Sequence, residues 1–310
     1  LVLPIALIFV KHKYEFEWGV GVMAKRRRAT TARTIERRIK EGRGKGHFEN
    51  YKPWLTIHDV PSQGIVTRVR GWKSGRLHHY LSEHFELAHH YQMEWALDVV
   101  DIREQYPLLP LEKTLFIAKK LGIRHPIDPR TKHPIVMTSD MLLTVRSDGE
   151  FKSIAHSIKP SGKLNRRVLD KLQIEKYYFK DLDIEWRLIT ENQINYDLVE
   201  NVKWLHSAKV LDEMAYLNNE LIYEMEPVLY EWIINIDKPL AKLTLDLDEK
   251  MELPMGTSMN AVRYMIANRL WEVDMSHRIL PTQKRLEIQA NHFQNWRANL
   301  EDNRISIPRR

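Results

Sequence analysis

The sequence predicts a mixed α/β protein in two parts, an α/β core followed by a mostly helical unit. Three observations predict it. Strand-like and helical segments interleave up to about residue 190. The hairpin signal Asp148-Gly149 sits between two β-rich runs. After Asn192 the pattern turns helical as far as about Trp232. The 310 residues suffice for two medium cores, and 43% hydrophobic with 29% charged residues suits a globular chain, not a disordered or fibrous one. Cysteine is absent, which excludes disulfides, thiolate catalysis and any cysteine-ligated zinc or iron–sulfur centre. Its absence says little about compartment, though it costs nothing in a reducing cytoplasm; a cytoplasmic location is the expectation.

The first ten residues, Leu1 to Val10, are nearly all apolar, but a membrane span needs about 20. They also lack the positive lead and small-residue cleavage site of a secretory signal. At Met23 the sequence turns abruptly to Met-Ala-Lys-Arg-Arg-Arg, so residues 1–22 are expected to be an upstream or disordered extension. The alternative is an N-terminal strand or helix packed on the body.

The formal charge is +7, and it is concentrated: ten Lys or Arg against two acids lie between Met23 and Gly46. Thr30 to Lys40 reads as a short helix, followed by the basic, glycine-punctuated loop Gly42-Arg43-Gly44-Lys45-Gly46. Positive charge of this kind favours a polyanionic partner. Arg37, Arg38, Lys40, Arg43 and Lys45 are therefore candidate DNA contacts, although a merely solvated arm has the same composition.

Val66 to Trp72 alternates like a strand, Lys73-Ser74-Gly75-Arg76 is a turn, and Leu77 to about Val99 reads as an aromatic-rich helix. His78, His79, His84, His89 and His90 have no His-Glu-X-X-His spacing, which argues against catalytic zinc and for surface or DNA-facing histidines. Asp101 to Pro110 reads as a packed connection into the core, with no catalytic role for Asp101 or Glu104. Ile135–Val145 and Phe151–Ile158 are strands, Leu164–Leu182 a helix and Ile184–Thr190 another strand. A boundary near residues 191–196 gives domains 23–191 and 194–300. In the second, Thr257 or Ser258 caps a helix that ends at Asn268, and Leu270–Asp274 with Ile279–Leu280 make a small β-wing around His277 and Arg278. Arg263, Arg269, Arg278 and Lys284 there could meet phosphates, or the unit could dock partner subunits.

The central hairpin carries the chemistry. With Asp148-Gly149 as a two-residue loop, Ser147 pairs with Glu150, Val145 with Lys152, Leu143 with Ile154 and Met141 with His156, and Asp140 falls opposite Ser157. Paired residues share a face and period two adds Lys159, so a carboxylate, a hydroxyl and an ammonium converge at the hairpin's far end. A one-residue slip would separate them. An Asp followed one strand later by polar–X–Lys is a pattern of metal-dependent phosphodiester cleavage. A divalent cation on hard oxygens helps generate the nucleophile and stabilises the phosphoryl charge, and a Lys orients or deprotonates the water or neutralises developing charge. The preceding helical stretch offers Glu86 as a second carboxylate, and the following one offers Glu175.

The chain resembles the TnsA family, the endonuclease subunits of heteromeric cut-and-paste transposases. The resemblance is carried in order by Arg37-Arg38-Ile39-Lys40-Glu41-Gly42-Arg43-Gly44, Pro53-Trp54-Leu55-Thr56, His78-His79 with Leu81-Ser82, Glu86-Leu87-Ala88, Asp101 to Pro110, Thr138-Ser139-Asp140 and Ile158-Lys159-Pro160. It implies a restriction-endonuclease-like core and, more loosely, a winged-helix-like second domain. It also implies Mg²⁺, with Mn²⁺ as a substitute, held by Glu86, Asp140, Ser157 and the Ile158 carbonyl. Lys159 then assists hydrolysis and Glu175 stands as a supporting acid. Where a family member carries Gln, this chain has the shorter Ser157, which is expected to reach a metal only through water. The implied role is cutting the 5′ ends of a transposon in double-stranded DNA while a TnsB-like transposase cuts the 3′ ends, under an ATP-using, TnsC-like regulator. A non-catalytic DNA- or partner-binding subunit on a degenerate nuclease fold is the alternative. A freestanding nuclease would instead cut robustly as the isolated chain.

Overall fold

The computed structural model describes residues 29–59, 67–214 and 216–298, so the proposed extension 1–22 lies outside the described residues. Helix α1 (Ala32–Lys40) starts where Thr31 Oγ1 accepts the Thr34 N–H at 3.2 Å, an N-cap that satisfies one free amide. Gly44, at φ +81°, lies against the sheet; a Cβ there would come within 2.2 Å of Pro107 Cγ.

Strands β1 (Thr67–Arg70) and β2 (Leu77–Tyr80) form an antiparallel pair with Val69 opposite His78. This corrects the reading of Leu77–Val99 as one helix. The helical part is a single π turn, Glu83–Leu87, running into α2 (Ala88–Trp95). The apolar and aromatic run is equally compatible with a buried strand, and periodicity alone does not separate the two. A second correction concerns Asp101–Pro110. Val99–Pro107 is strand β3, whose charged residues are buried in pairs, so the usual alternation is hidden. It leads into α3 (Leu111–Lys120).

Strands β4 (Thr138–Ser147) and β5 (Glu150–Ile158) then pair from Ser147↔Glu150 to Met141↔His156, the register predicted from the turn. Asp148 (φ +53°) and Gly149 (φ +83°) both occupy the left-handed region that a primed turn requires. Helix α4 (Arg166–Lys180) carries the chain to β6 (Glu185–Ile189), parallel to β5, and the sheet order is β3-β4-β5-β6.

Alternation divides the sheet. Leu142 and Ala155 pack with Ile117, Ile174 and Phe179 from α3 and α4. Ile102, Met141, Leu143 and Val145 belong to a larger core that includes Leu87, Ala88 and Tyr91. That core continues into α5 (Tyr196–Leu205), α6 (Asn219–Asn235), α7 (Leu240–Lys250) and α8 (Thr257–Ala267). Gly256, not Thr257 or Ser258, precedes the first turn of α8, and Asn268 ends it. The predicted β-wing is also corrected. Strand β7 (Trp271–Val273) pairs with β8 (Ile288–Asn291), not with Ile279–Leu280. The residues between are tied down elsewhere: Asn201 Nδ2 donates to the carbonyls of Met275 and His277, and the Ala241 N–H donates to Pro281 O. Among the described residues no helix is long and apolar enough to cross a membrane.

Candidate active site

Asp140 sits near the start of β4 and Lys159 just past the end of β5. Continuing the rows of Leu142 and Ala155 by period two, Asp140 and Ser157 emerge on the face covered by α4. Lys159 Nζ lies 2.6 Å from Asp140 Oδ2 and 3.0 Å from the Ile158 carbonyl oxygen. The same Oδ2 accepts the Ile158 N–H at 2.6 Å. Burial works against the ammonium, but the Asp140 charge and hydrogen bond outweigh it and raise the Lys159 pKa. Lys159 is therefore a held cation.

Glu86 enters on the π turn, with Oε2 accepting the Leu81 N–H at 3.0 Å. Burial, then the Asp140 carboxylate, push its carboxyl up to about 7, while the Leu81 N–H and the Lys159 charge pull the other way. Glu86 thus feels both strand residues. Glu175, buried on α4, is also pushed up to about 7 by burial and by Asp140, and it accepts a short hydrogen bond from Ser157 Oγ. Ser157 Oγ accepts Trp186 Nε1–H at 3.0 Å, so this hydroxyl is engaged with Glu175 and Trp186.

Carboxyl groups such as Glu86 and Glu175, pushed up partly by a neighbouring carboxylate, are relieved by a cation among them. Glu86 and Asp140 with the Ile158 carbonyl are hard oxygen donors of the kind Mg²⁺ takes, so the residues present fit such an ion.

The candidate DNA-contact residues divide. Arg37, Lys40 and Lys45 are exposed. Arg38 and Arg43 both reach Asp59, at 3.2 and 2.7 Å, and Arg38 stacks on Trp54, so their charge is partly spent within the fold. A cleft of 540 Å³ runs along α1 between these arginines and Thr56, His58 and Asp59, on a different element from the Asp140–Lys159 pair. In the second half, Arg263 donates to Trp204 O, Arg269 to Trp95 O, and Arg278 pairs with Glu200 at 3.2 Å.

The histidines depart most from expectation. His78, His89 and His90 are buried, and His84 is exposed. Glu104 is buried in a charge network, paired with the Arg76 guanidinium and 2.9 Å from His78 Nδ1, and takes no part in the Asp140–Lys159 pair. Sequence reasoning missed this network, because His78 and Glu104 come from β2 and β3, neither of which reads as a strand, and Arg76 from the turn before β2.

Two family models match consecutive stretches: the TnsA-like endonuclease N terminal over residues 97–191 and the TnsA endonuclease C terminal over 193–275. The chain is also 37% identical over 247 residues to the transposon Tn7 transposition protein TnsA of Escherichia coli, spanning 79% of this chain and 87% of that protein. The chain belongs to the TnsA endonuclease family. In this TnsA-family endonuclease the N-terminal match covers Asp140, Ser157, Ile158, Lys159 and Glu175. Glu86 lies ahead of the matched residues and is joined to the site by the electrostatics described above.

Proposed function

We propose that this chain is a Mg²⁺-dependent DNA endonuclease that cuts the 5′ ends of a transposon. In this reading a TnsB-like transposase cuts the 3′ ends and a TnsC-like, ATP-using regulator contacts the complex. The observation that supports it most is the junction of Asp140, Lys159 and Glu86 at the end of a sheet in a TnsA-family chain.

The metal, when bound, supplies positive charge against the phosphoryl oxygens and acidifies a water. Glu86, Asp140 and the Ile158 carbonyl would hold it. Lys159, already charged, neutralises negative charge as it develops and orients a water; its raised pKa favours this role over proton abstraction. Ser157 anchors Glu175, whose carboxyl backs Asp140. Arg37, Lys40 and Lys45 are exposed on α1 and its loop and would track a phosphate backbone, Arg37 giving up a surface pair with Glu41 at 3.5 Å, with Arg38 and Arg43 shaping the cleft beside them. Residues 194–300 form the proposed second domain, winged-helix-like, for DNA or partner docking.

Asp140→Ala in the reconstituted transposition complex is expected to abolish 5′-end cleavage while 3′-end cleavage by the partner continues. Unchanged 5′ cutting would leave this chain a non-catalytic subunit.

A further inference from the structure

Away from the Asp140–Lys159 pair, three buried side chains from two elements converge. They are His78 on β2 and His90 and Glu94 on α2, and one ligand atom from each lies within 4.8 Å of the others. Every one is held from behind. His78 Nδ1 is 2.9 Å from Glu104 Oε2, the carboxylate–histidine arrangement that orients metal-binding imidazoles and raises their basicity. His90 Nδ1 is 2.6 Å from Tyr80 OH. Glu94 Oε2 accepts the N–H groups of Trp72 and Lys73 at 3.0 and 3.1 Å.

Two of the inward-facing atoms are left over. His90 Nε2 and Glu94 Oε1 are buried, make no hydrogen bond, and stand 3.4 Å apart. Two buried polar atoms left unsatisfied side by side are what a shared cation would satisfy. Gly71 packs against this cluster, where a Cβ would lie 2.5 Å from His78 Nε2 and 2.7 Å from Ser74 Oγ.

We propose that His78, His90 and Glu94 bind a structural Zn²⁺ ion, separate from the Mg²⁺ of the nuclease centre. Two imidazole nitrogens and one carboxylate are a zinc donor set, and they are too soft and too few in oxygens for Mg²⁺. His78 Nε2 hydrogen-bonds Ser74 Oγ at 2.6 Å, a contact exchanged for the ion when it binds, and a water completes the four ligands. The burial of all three residues argues against substrate access, so the ion's work is mechanical. It fastens the β1–β2 hairpin to α2, the helix that begins two residues after Glu86. Helical spacing encodes half of the site, because His90 and Glu94 are one turn apart on the same face. The other half, His78, comes from a strand 12 residues earlier, so no contiguous zinc motif announces it.

The test uses the full chain stripped with a chelator and titrated with Zn²⁺ or Co²⁺, in an Asp140→Ala background that disables the nuclease centre. One equivalent is expected to bind, with the intense visible absorption of four-coordinate Co²⁺ and a rise in Tm. His90→Phe is expected to weaken Zn²⁺ binding by more than about 100-fold, beyond the 10–100-fold that loss of a supporting partner costs. Glu94→Gln, which keeps size and burial, should weaken it as well and serves if His90→Phe does not fold. Absence of stoichiometric binding in the Asp140→Ala chain would overturn the proposal. So would binding that survives both ligand substitutions, or a Co²⁺ spectrum of six-coordinate character.

Discussion

Glu86, Asp140 and Lys159 share one electrostatic problem. Burial and then the nearby Asp140 carboxylate lift Glu86 to about 7, and a single ammonium, 2.6 Å from Asp140, offsets part of that repulsion. Removing the ammonium removes the fixed positive charge without removing a packed core group, since Lys159 is only half-buried. Lys159→Ala is therefore expected to slow cleavage by about 10²–10³-fold or more, as loss of a transition-state charge stabiliser does, with partner association retained. A loss of association in pull-down that matches the loss of cutting would assign Lys159 to the fold. Ser157 shows why residue identity alone undersells the site. As a metal ligand it is short, but its hydroxyl is joined to Glu175, so an acid 18 residues later does the facing.

At the scale of elements, the β4–β5 hairpin places Asp140, Ser157 and Lys159, and it is the most legible part of the sequence. Asp148 and Gly149 are residue types that tolerate positive φ, and strict period two then carries their register without slippage to Asp140 and Lys159. Gly149 has open space around it, so only its backbone conformation resists substitution. Gly149→Val is expected to destabilise the protein by about 1–3 kcal/mol in chemical denaturation, through strain at φ +83°. Unaltered stability would mean the turn does not set the register. What was illegible follows the same logic in reverse. β3 places Asp101, Arg103 and Glu104 in the interior, compensated by Phe48 N–H, Arg76 and His78 from distant segments, so neither alternation nor hydrophobicity marked it as a strand. β2 reads as part of a helix because Leu77–Tyr80 flows into the aromatic run of α2 with no glycine or proline between. The pairing of β7 with β8 depends on contacts from α5 and α7 to the intervening loop, which no local signal encodes.

Across the whole molecule, one hydrophobic core links the α2 side of the sheet to the helices that follow it, so the histidines buried near this junction report on global folding. His206 stacks on Trp72 at 5.1 Å between ring centroids, and burial lowers its pKa to about 4. A histidine with a folded pKa below its unfolded 6.5 is protonated first in the unfolded chain, so its contribution to stability is present above 6.5 and declines as pH falls toward about 4. His206→Phe keeps a ring against Trp72 and removes the titration. Wild-type stability is expected to fall relative to this variant as pH is lowered from 6.5 to 4, and parallel stability curves would show that His206 titrates normally. This difference is the useful readout, because Glu86 and Glu175, with raised pKa values, change stability in the opposite sense over part of the same window.

The central claim is that a divalent cation is shared by the π-turn glutamate and the strand aspartate. Anomalous scattering from Mn²⁺-soaked crystals of the full chain tests it most directly. The account predicts a peak within about 2.5 Å of carboxylate oxygens of both Glu86 and Asp140 and of the Ile158 carbonyl. A peak that touches neither carboxylate, or Mn²⁺ bound by Asp140 while Glu86 points elsewhere, would contradict it.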